Sequence, residues 1–298
     1  MDLNDRKQKQ ESGGLYGYIC GVVAALLSLL LFLFILKTVQ GQPGEQKVQI
    51  VVFGDSVMGE VRDETAVPAL LETLLGKSVF NAGFGGTCAS RSEQGRTLDY
   101  TRGTFSLVAL AKAVEADDFG VQQSVIMRES NTEYYAGVID ELEKLDFSGV
   151  DIYLIQHGLN DYQVGVPIDD PEDPYDEHSF LGALRVTVRA LKSRSPEARI
   201  VLVSPLFTWY TDERQETCEA ADHGGGVLED YVNAELSLAG ELGVEVLDIY
   251  HDFFPHEEWE DWKLYSRDGM HPNEAGREKM ARRIAEYLEQ EIFEAGIK

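Results

Sequence analysis

Residues 48–56, VQIVVFGDS, contain a short β-branched run that ends in a glycine-containing turn. Such a run is typical of a strand that a parallel sheet buries on both faces. Four similar runs follow along the chain: Ser78–Asn81, Val150–Gln156, Arg199–Ser204 and Val244–Ile249. The sequence therefore predicts five strands.

Helical patterns separate these strands. Apolar side chains recur at helical spacing from Phe180 to Leu191 and from Leu228 to Leu236, and the second pattern is followed by Gly243, a residue that ends helices well. A last helix is predicted to begin after Asn273, which serves as its N-cap. This alternation predicts one α/β domain with a mostly parallel sheet and helices on both faces.

Four loops follow the predicted strands and carry the residues of chemical interest. In an open parallel sheet, ligands bind outside the carboxyl ends of the strands. The segments are Gly54-Asp55-Ser56, Ala82–Thr87, His157–Asp161 and, before the last helix, Asp268–Pro272. We expect all four to meet at one edge of the sheet.

These loops contain the residue types of a Ser-His-Asp triad. The chemistry needs a hydroxyl nucleophile, an imidazole that takes its proton and a carboxylate that fixes the imidazole tautomer, which Ser56, His271 and Asp268 would supply. An oxyanion hole needs preorganised donors, and the glycine-rich loop and Asn160 offer them. Each segment alone also has an ordinary explanation as a turn, a bend or a helix start.

Taken together, the four segments resemble the SGNH hydrolase family, also called GDSL esterases and lipases. The motifs are Gly54-Asp55-Ser56, Asn81-x-Gly83-x-x-Gly86, Gly158-x-Asn160-Asp161 and Asp268-x-x-His271-Pro272, within residues 48–292. The resemblance implies a three-layer α/β/α sandwich of the flavodoxin-like SGNH type. It makes Ser56 the nucleophile, His271 the base and Asp268 its orienting partner. The implied oxyanion hole consists of the Ser56 N–H, the Gly86 N–H (with Gly83 as second choice) and the Asn160 amide. No metal or organic cofactor is implied.

Two features depart from the family pattern. Val57 occupies the place of the leucine in the GDSL signature, and the connection from Cys88 to Gly149 is long. Helical spacing of apolar residues within that connection predicts helices that form a cap or the wall of a groove.

The N-terminal region has a separate character. Residues 12–36 carry no charge, and as a helix they would reach roughly 37 Å, enough to cross a bilayer. The sequence predicts a cytoplasmic tail at 1–14, a transmembrane signal anchor at 15–37, a linker at 38–47 and an extracytoplasmic domain at 48–298. Arg6, Lys7 and Lys9 before the apolar segment favour this orientation, which places the protein in the cell membrane.

The overall charge restricts the partners. The chain has 26 Lys and Arg residues against 52 Asp and Glu residues, a formal net charge of −26. A surface this acidic repels phosphate backbones, so nucleic acid is not an expected partner.

Two pairs of residues near the expected site have alternative interpretations. Trp209 and Tyr210 follow the fourth strand, where they would either stack on sugar rings or pack a long loop. Cys88 and Cys218 both lie in loops at the catalytic edge, either as a disulfide or as two unrelated thiols.

The expected function is a membrane-anchored serine esterase. Its substrate would be a glycan or a small ester from which a small acyl group, most simply acetyl, is removed through an acyl-enzyme. Two alternatives stay open at this point: an O-acyltransferase that uses the same site, and a catalytically inactive glycan-binding domain.

Overall fold

The structure is a computed structural model that describes residues 48–91, 103–125 and 132–293. Its central feature is a parallel sheet of five strands in the order β2-β1-β3-β4-β7. The strands of this sheet are β1 (Ile50–Gly54), β2 (Val79–Gly83), β3 (Ile152–Gln156), β4 (Arg199–Val203) and β7 (Glu245–Leu247). The prediction of an α/β domain with a five-stranded parallel sheet is confirmed.

Ten α-helices lie wholly within the described part of the chain. They are α1 (Ser56–Gly59), α2 (Val67–Leu75), α3 (Leu107–Ala116), α4 (Gly120–Gln123), α5 (Tyr134–Leu142), α6 (Leu159–Gln163), α7 (Phe180–Arg194), α8 (Leu228–Leu242), α9 (Trp262–Tyr265) and α10 (Glu274–Tyr287). Short 3₁₀ turns occupy Phe147–Gly149 and Trp259–Asp261, and a π-helical segment, Leu288–Phe293, follows α10. The helix caps agree with the sequence: the Asn273 side chain accepts from the Gly276 N–H, and Gly243 ends α8 with a φ of 62°.

Two apolar cores lie on opposite faces of the sheet. Alternate residues of β1 point to opposite faces because side chains alternate along a strand. Val51 and Phe53 pack into a core with α3, α5, α7 and α8, whereas Ile50 and Val52 pack into a core with α2 and α10. The domain is therefore a three-layer α/β/α sandwich.

The structure refines the predicted elements at the carboxyl ends. The fifth predicted strand ends at Leu247 rather than Ile249, because the Asp248 carboxylate accepts from the Tyr250 and His251 N–H groups and turns the chain. A short antiparallel pair that the sequence did not predict, β5 (Trp209–Tyr210) with β6 (Glu216–Thr217), follows β4. The helices predicted in the long connection after β2 are α3 and α5.

The predicted transmembrane helix at residues 15–37 lies outside the described residues. Within residues 48–91, 103–125 and 132–293, no helix has the length and apolar character needed to cross a membrane.

Candidate active site

A tight turn after β1 presents Ser56. The Asp55 carboxylate accepts a hydrogen bond from the Val57 N–H at 2.9 Å and so caps the four-residue helix α1. A Cβ added at Gly59 would lie 2.4 Å from the Gly83 carbonyl oxygen, so a side chain there would push α1 away from β2. This close packing fixes Ser56 at the carboxyl edge of the sheet, where its side chain is half-buried.

A second tight turn, before α10, presents His271. The Ser266 hydroxyl accepts from the Gly269 N–H at 2.8 Å and donates to the His271 carbonyl at 3.0 Å. Gly269 has a φ of 93°, and a Cβ there would lie 2.4 Å from the Trp209 carbonyl oxygen, so this position requires glycine. The Asp268 Oδ1 atom accepts from the Met270 and His271 N–H groups at 3.0 and 2.7 Å.

The two turns bring Ser56, His271 and Asp268 into one chain of hydrogen bonds. The His271 Nε2 atom lies 3.0 Å from Ser56 Oγ, and His271 Nδ1 lies 2.7 Å from Asp268 Oδ2. Partial burial acts to raise the pKa of Asp268, but the hydrogen bonds from the backbone and ring of His271 outweigh it and hold the pKa below its usual value. Asp268 is therefore an anionic acceptor that holds His271 Nδ1 as a donor, which leaves Nε2 to face the serine.

Backbone and amide donors surround this hydroxyl. Within the described part of the chain, the N–H groups of Ser56 and Gly86 donate to no protein acceptor. The Gly83 N–H is occupied by Asn81 Oδ1 at 3.0 Å, and the Gly85 N–H by the Tyr134 hydroxyl at 2.8 Å. Among the glycines of this loop, Gly86 rather than Gly83 thus has an available donor.

Asn160, at the start of α6, adds a side-chain donor. Its Nδ2 atom donates to Asp55 Oδ2 at 3.2 Å, which fixes the plane of the amide. An amide nitrogen has two protons, so one remains for a ligand. The neighbouring Asp161 is fully buried and accepts from the Ala89 and Ser90 N–H groups at 2.8 and 3.0 Å, which ties α6 to the chain just after the glycine loop.

His157, at the end of β3, has a different environment from His271. It is buried, and burial lowers its pKa to about 3. It is therefore neutral at physiological pH, and its ring forms a hydrogen bond with the backbone of Thr87 at the end of the glycine loop.

Asp55 is a buried carboxyl, and it predicts an unusual pH dependence of stability. Burial raises its pKa from 3.8 to about 6, although the bond from Val57 acts to lower it. An acid whose pKa is raised in the folded state binds protons more tightly there, so the contribution of Asp55 to stability falls as pH rises from about 4 to 6. We expect the unfolding free energy of Asp55→Asn, minus that of wild type, to rise by about 2 kcal/mol from pH 4 to pH 7. Urea denaturation at both pH values measures it.

Asp63→Asn is an opposite-sign control for this prediction. Asp63 is exposed, and hydrogen bonds from Thr65 hold the pKa of Asp63 below its usual value. Its ionised form therefore stabilises the fold, and the variant-minus-wild-type difference should fall as pH rises from about 2 to 4 and stay nearly constant from pH 4 to pH 7. A difference for Asp55→Asn that is the same at both pH values would contradict the assignment.

The expectation that Trp209 and Tyr210 present exposed rings is wrong. The two residues are 2% and 5% exposed, because β5 folds inward and packs them on the core. The backbone N–H of Trp209 donates to the Gly269 carbonyl at 2.9 Å, and the Tyr210 hydroxyl lies 3.0 Å from His223 Nε2. Trp209 thus supports the turn of His271 through its backbone, and the alternative of loop packing is the one observed.

The proposed disulfide between Cys88 and Cys218 is also absent. Both thiols are buried, and no disulfide joins them. The Cys218 sulfur instead accepts from the Thr208 N–H at 3.4 Å and lies 3.6 Å from the Tyr250 hydroxyl, and burial raises the pKa of its thiol. Cys218, directly after β6, is thus held by contacts with Thr208 and Tyr250.

Several residues near the site were not predicted from the sequence. Tyr134 and Tyr135, at the start of α5, hold the two sides of Gly85: one hydroxyl accepts its N–H and the other donates to its carbonyl oxygen. Arg62 donates to the carbonyl oxygens of Asn81 and Gly83 and lies 4.9 Å from the Tyr134 ring centre. These long-range contacts have no signal in local spacing.

Comparison with known proteins agrees with this geometry. The profile of the GDSL-like lipase/acylhydrolase family matches residues 52–279. A GDSL lipase from Mycobacterium tuberculosis is 29% identical over 126 residues, which cover 42% of this chain and 47% of that protein. The chain thus spans about half the length of this curated relative.

Solved structures share the fold. One crystal structure is 25% identical with a TM-score of 0.60, and a protein from Lactobacillus plantarum is 18% identical with a TM-score of 0.56. Each comparison covers 82% of this chain and 97% of the other.

The fold and the site together define a hydrolase of the SGNH class. The chain belongs to the GDSL-like lipase/acylhydrolase family, whose members are serine ester hydrolases.

Proposed function

We propose that this protein is a serine esterase that removes a small acyl group, most simply acetyl, from a glycan or from a related alcohol that carries further hydroxyl groups. The observation that carries the proposal is the chain of hydrogen bonds from Ser56 through His271 to Asp268, beside available donors at one sheet edge. Such an arrangement activates a hydroxyl for attack on an ester carbonyl.

The proposed reaction has two halves. Ser56 Oγ attacks the acyl carbonyl while His271 Nε2 takes its proton, and the carbonyl oxygen becomes an oxyanion. The Ser56 N–H, the Gly86 N–H and the Asn160 amide donate to it. The tetrahedral intermediate then collapses, and the alcohol leaves with the proton from His271. A water molecule next gives a proton to His271 and attacks the acyl-enzyme, which releases the acid and restores Ser56.

The surroundings of Ser56 support a small acyl group. A Cβ added at Gly85 would lie 3.7 Å from Ser56 Cβ and 3.3 Å from the Tyr134 hydroxyl. The hydrogen bonds of Tyr134 and Tyr135 to Gly85 hold this glycine close to Ser56 and therefore narrow the space between them. A series of nitrophenyl esters from acetate to octanoate tests the proposal, with kcat/KM expected to be highest for the shortest acyl chains. Acetate release from acetylated glycans then identifies the alcohol, and a preference for octanoate would contradict the small acyl group.

Asn160→Ala tests the proposed oxyanion donor. Loss of an oxyanion donor lowers kcat by roughly 10²–10³ with little change in KM, because the donor acts mainly in the transition state. Steady-state kinetics on nitrophenyl acetate measures the effect. A large increase in KM at unchanged kcat would instead make Asn160 a substrate-binding residue.

We also propose that residues 15–37 anchor the protein in the cell membrane with the hydrolase domain outside the cytoplasm. The support is the uncharged segment from 12 to 36 and the basic residues before it. Protease added to intact cells is expected to digest the hydrolase domain, which should otherwise sediment with membranes. A domain that resists protease until the cells are lysed would contradict this orientation.

A further inference from the structure

Two charged residues, Glu60 and Arg267, contact each other and the His271–Asp268 pair. Glu60, just after α1, places its Oε2 atom 3.9 Å from His271 Nε2 and forms an ion pair with Arg267. The Arg267 Nε atom lies 3.7 Å from Asp268 Oδ2. The side chains of Glu60 and Arg267 are 45% and 42% exposed, so both are held in place and open to solvent.

The position of Glu60 places it near the alcohol portion of a bound ester. His271 Nε2 returns its proton to the alcohol oxygen, so that oxygen must come within hydrogen-bonding reach of Nε2, roughly 2.6–3.2 Å. Glu60 Oε2 lies 3.9 Å from the same nitrogen, on a side chain that is 45% exposed. It therefore borders the alcohol side of the substrate. A hydroxyl on the carbon next to the ester-bearing carbon would be within reach of this carboxylate.

The ion pair also indicates the charge of that alcohol. Arg267 neutralises Glu60, so the pair as a whole does not attract a cationic alcohol. A carboxylate held by one arginine still has lone pairs for a hydroxyl donor, because an ionised carboxylate offers about four acceptor positions. A neutral hydroxylated alcohol thus matches the subsite better than a charged or apolar one.

We propose that Glu60 and Arg267 form the leaving-group subsite, in which Glu60 accepts a hydrogen bond from a hydroxyl vicinal to the ester. The preferred substrates are then monoesters of vicinal diols, the arrangement found in partly acylated sugars. This inference rests on the proposed esterase function and specifies its alcohol.

The test compares two matched esters, 2-hydroxyethyl acetate and 2-methoxyethyl acetate. Both leaving groups carry an oxygen at the neighbouring carbon, but only the first donates a hydrogen bond. Wild-type kcat/KM is expected to favour the hydroxyl ester by roughly tenfold or more, since a site that binds a hydroxyl discriminates against analogues lacking it. The ratio of the two kcat/KM values is the readout, and it does not depend on overall activity.

Variants of Glu60 test whether this residue causes the preference for the hydroxyl ester. Glu60→Leu removes the acceptor, and the ratio should fall to near one; Glu60→Gln keeps an acceptor oxygen without the charge and should give an intermediate ratio. Glu278→Leu is the matched control, because Glu278 forms a comparable exposed ion pair with Arg282 on α10. Its ratio and activity should equal those of wild type.

Two results would overturn the inference: a wild-type ratio near one, or a ratio that Glu60→Leu leaves unchanged while both rates fall. The second result would mean that Glu60 acts on His271 whatever the alcohol. Labelling by a fluorophosphonate separates these outcomes from failure of the proposed function. If the protein is labelled at Ser56 but shows no preference between the two esters, only the proposed subsite is contradicted. If the protein is not labelled, the proposed esterase function is contradicted as well.

Discussion

Replacing Ser56 by alanine is expected to lower kcat on nitrophenyl acetate by roughly 10⁴–10⁶, because the variant has no hydroxyl that can form an acyl-enzyme. The donors at Gly86 and Asn160 stay in place in this variant, so we expect a low residual activity from slow hydrolysis by a bound water molecule. Initial rates at saturating substrate, on enzyme free of contaminating esterases, measure the effect.

The fold should survive this change. Ser56 is half-buried, and the cap of α1 comes from Asp55 rather than from the serine hydroxyl. The circular dichroism spectrum and the melting temperature are therefore expected to match those of wild type. Residual activity within tenfold of wild type in a folded Ser56→Ala protein would mean that another residue is the nucleophile.

Asp268→Asn is expected to lower kcat by about 10⁴ while leaving the turn intact. Asp268 Oδ1 accepts the N–H groups of Met270 and His271, and an asparagine Oδ1 can keep both bonds. The amide nitrogen then faces His271 Nδ1 in place of Oδ2. That donor favours the tautomer with its proton on Nε2, which cannot take the proton of Ser56. Steady-state kinetics near neutral pH measures the loss.

Asp248→Asn provides a matched control in the same chain. Asp248 and His251 repeat the spacing of Asp268 and His271, and His251 Nδ1 lies 2.7 Å from Asp248 Oδ2. The Asp248 Oδ1 atom likewise accepts two backbone N–H groups. His251, however, contacts Glu229 rather than a serine. We expect Asp248→Asn to retain wild-type turnover, and an equal loss in both variants would show that the effect is a general one on stability.

The parts of the fold that local sequence controls were predictable. Strand β1 and the turn at Ser56 follow from a β-branched run and a glycine, and α10 begins where Asn273 can cap it. The spacing of Asp268 and His271 places both in one turn, because their contacts are local to that turn. These features depend on neighbours within a few residues.

Features that depend on distant contacts were not predictable in the same way. The exposure of Trp209 depends on how β5 packs on the core, and its position after a strand does not determine that packing. The contact of Tyr134 with Gly85 joins residues 49 positions apart. The ion pair of Glu60 with Arg267 spans 207 positions, and only the assembled sheet brings the two together.

The most direct test of the central claim is mass spectrometry of the wild-type protein after reaction with a fluorophosphonate, followed by peptide mapping. If His271 activates Ser56, one phosphonyl group should be found per chain, on the peptide that contains Ser56, and the Ser56→Ala protein should remain unlabelled. A wild-type protein that stays unlabelled, or a label on a different serine, would contradict the assignment of Ser56 as the nucleophile.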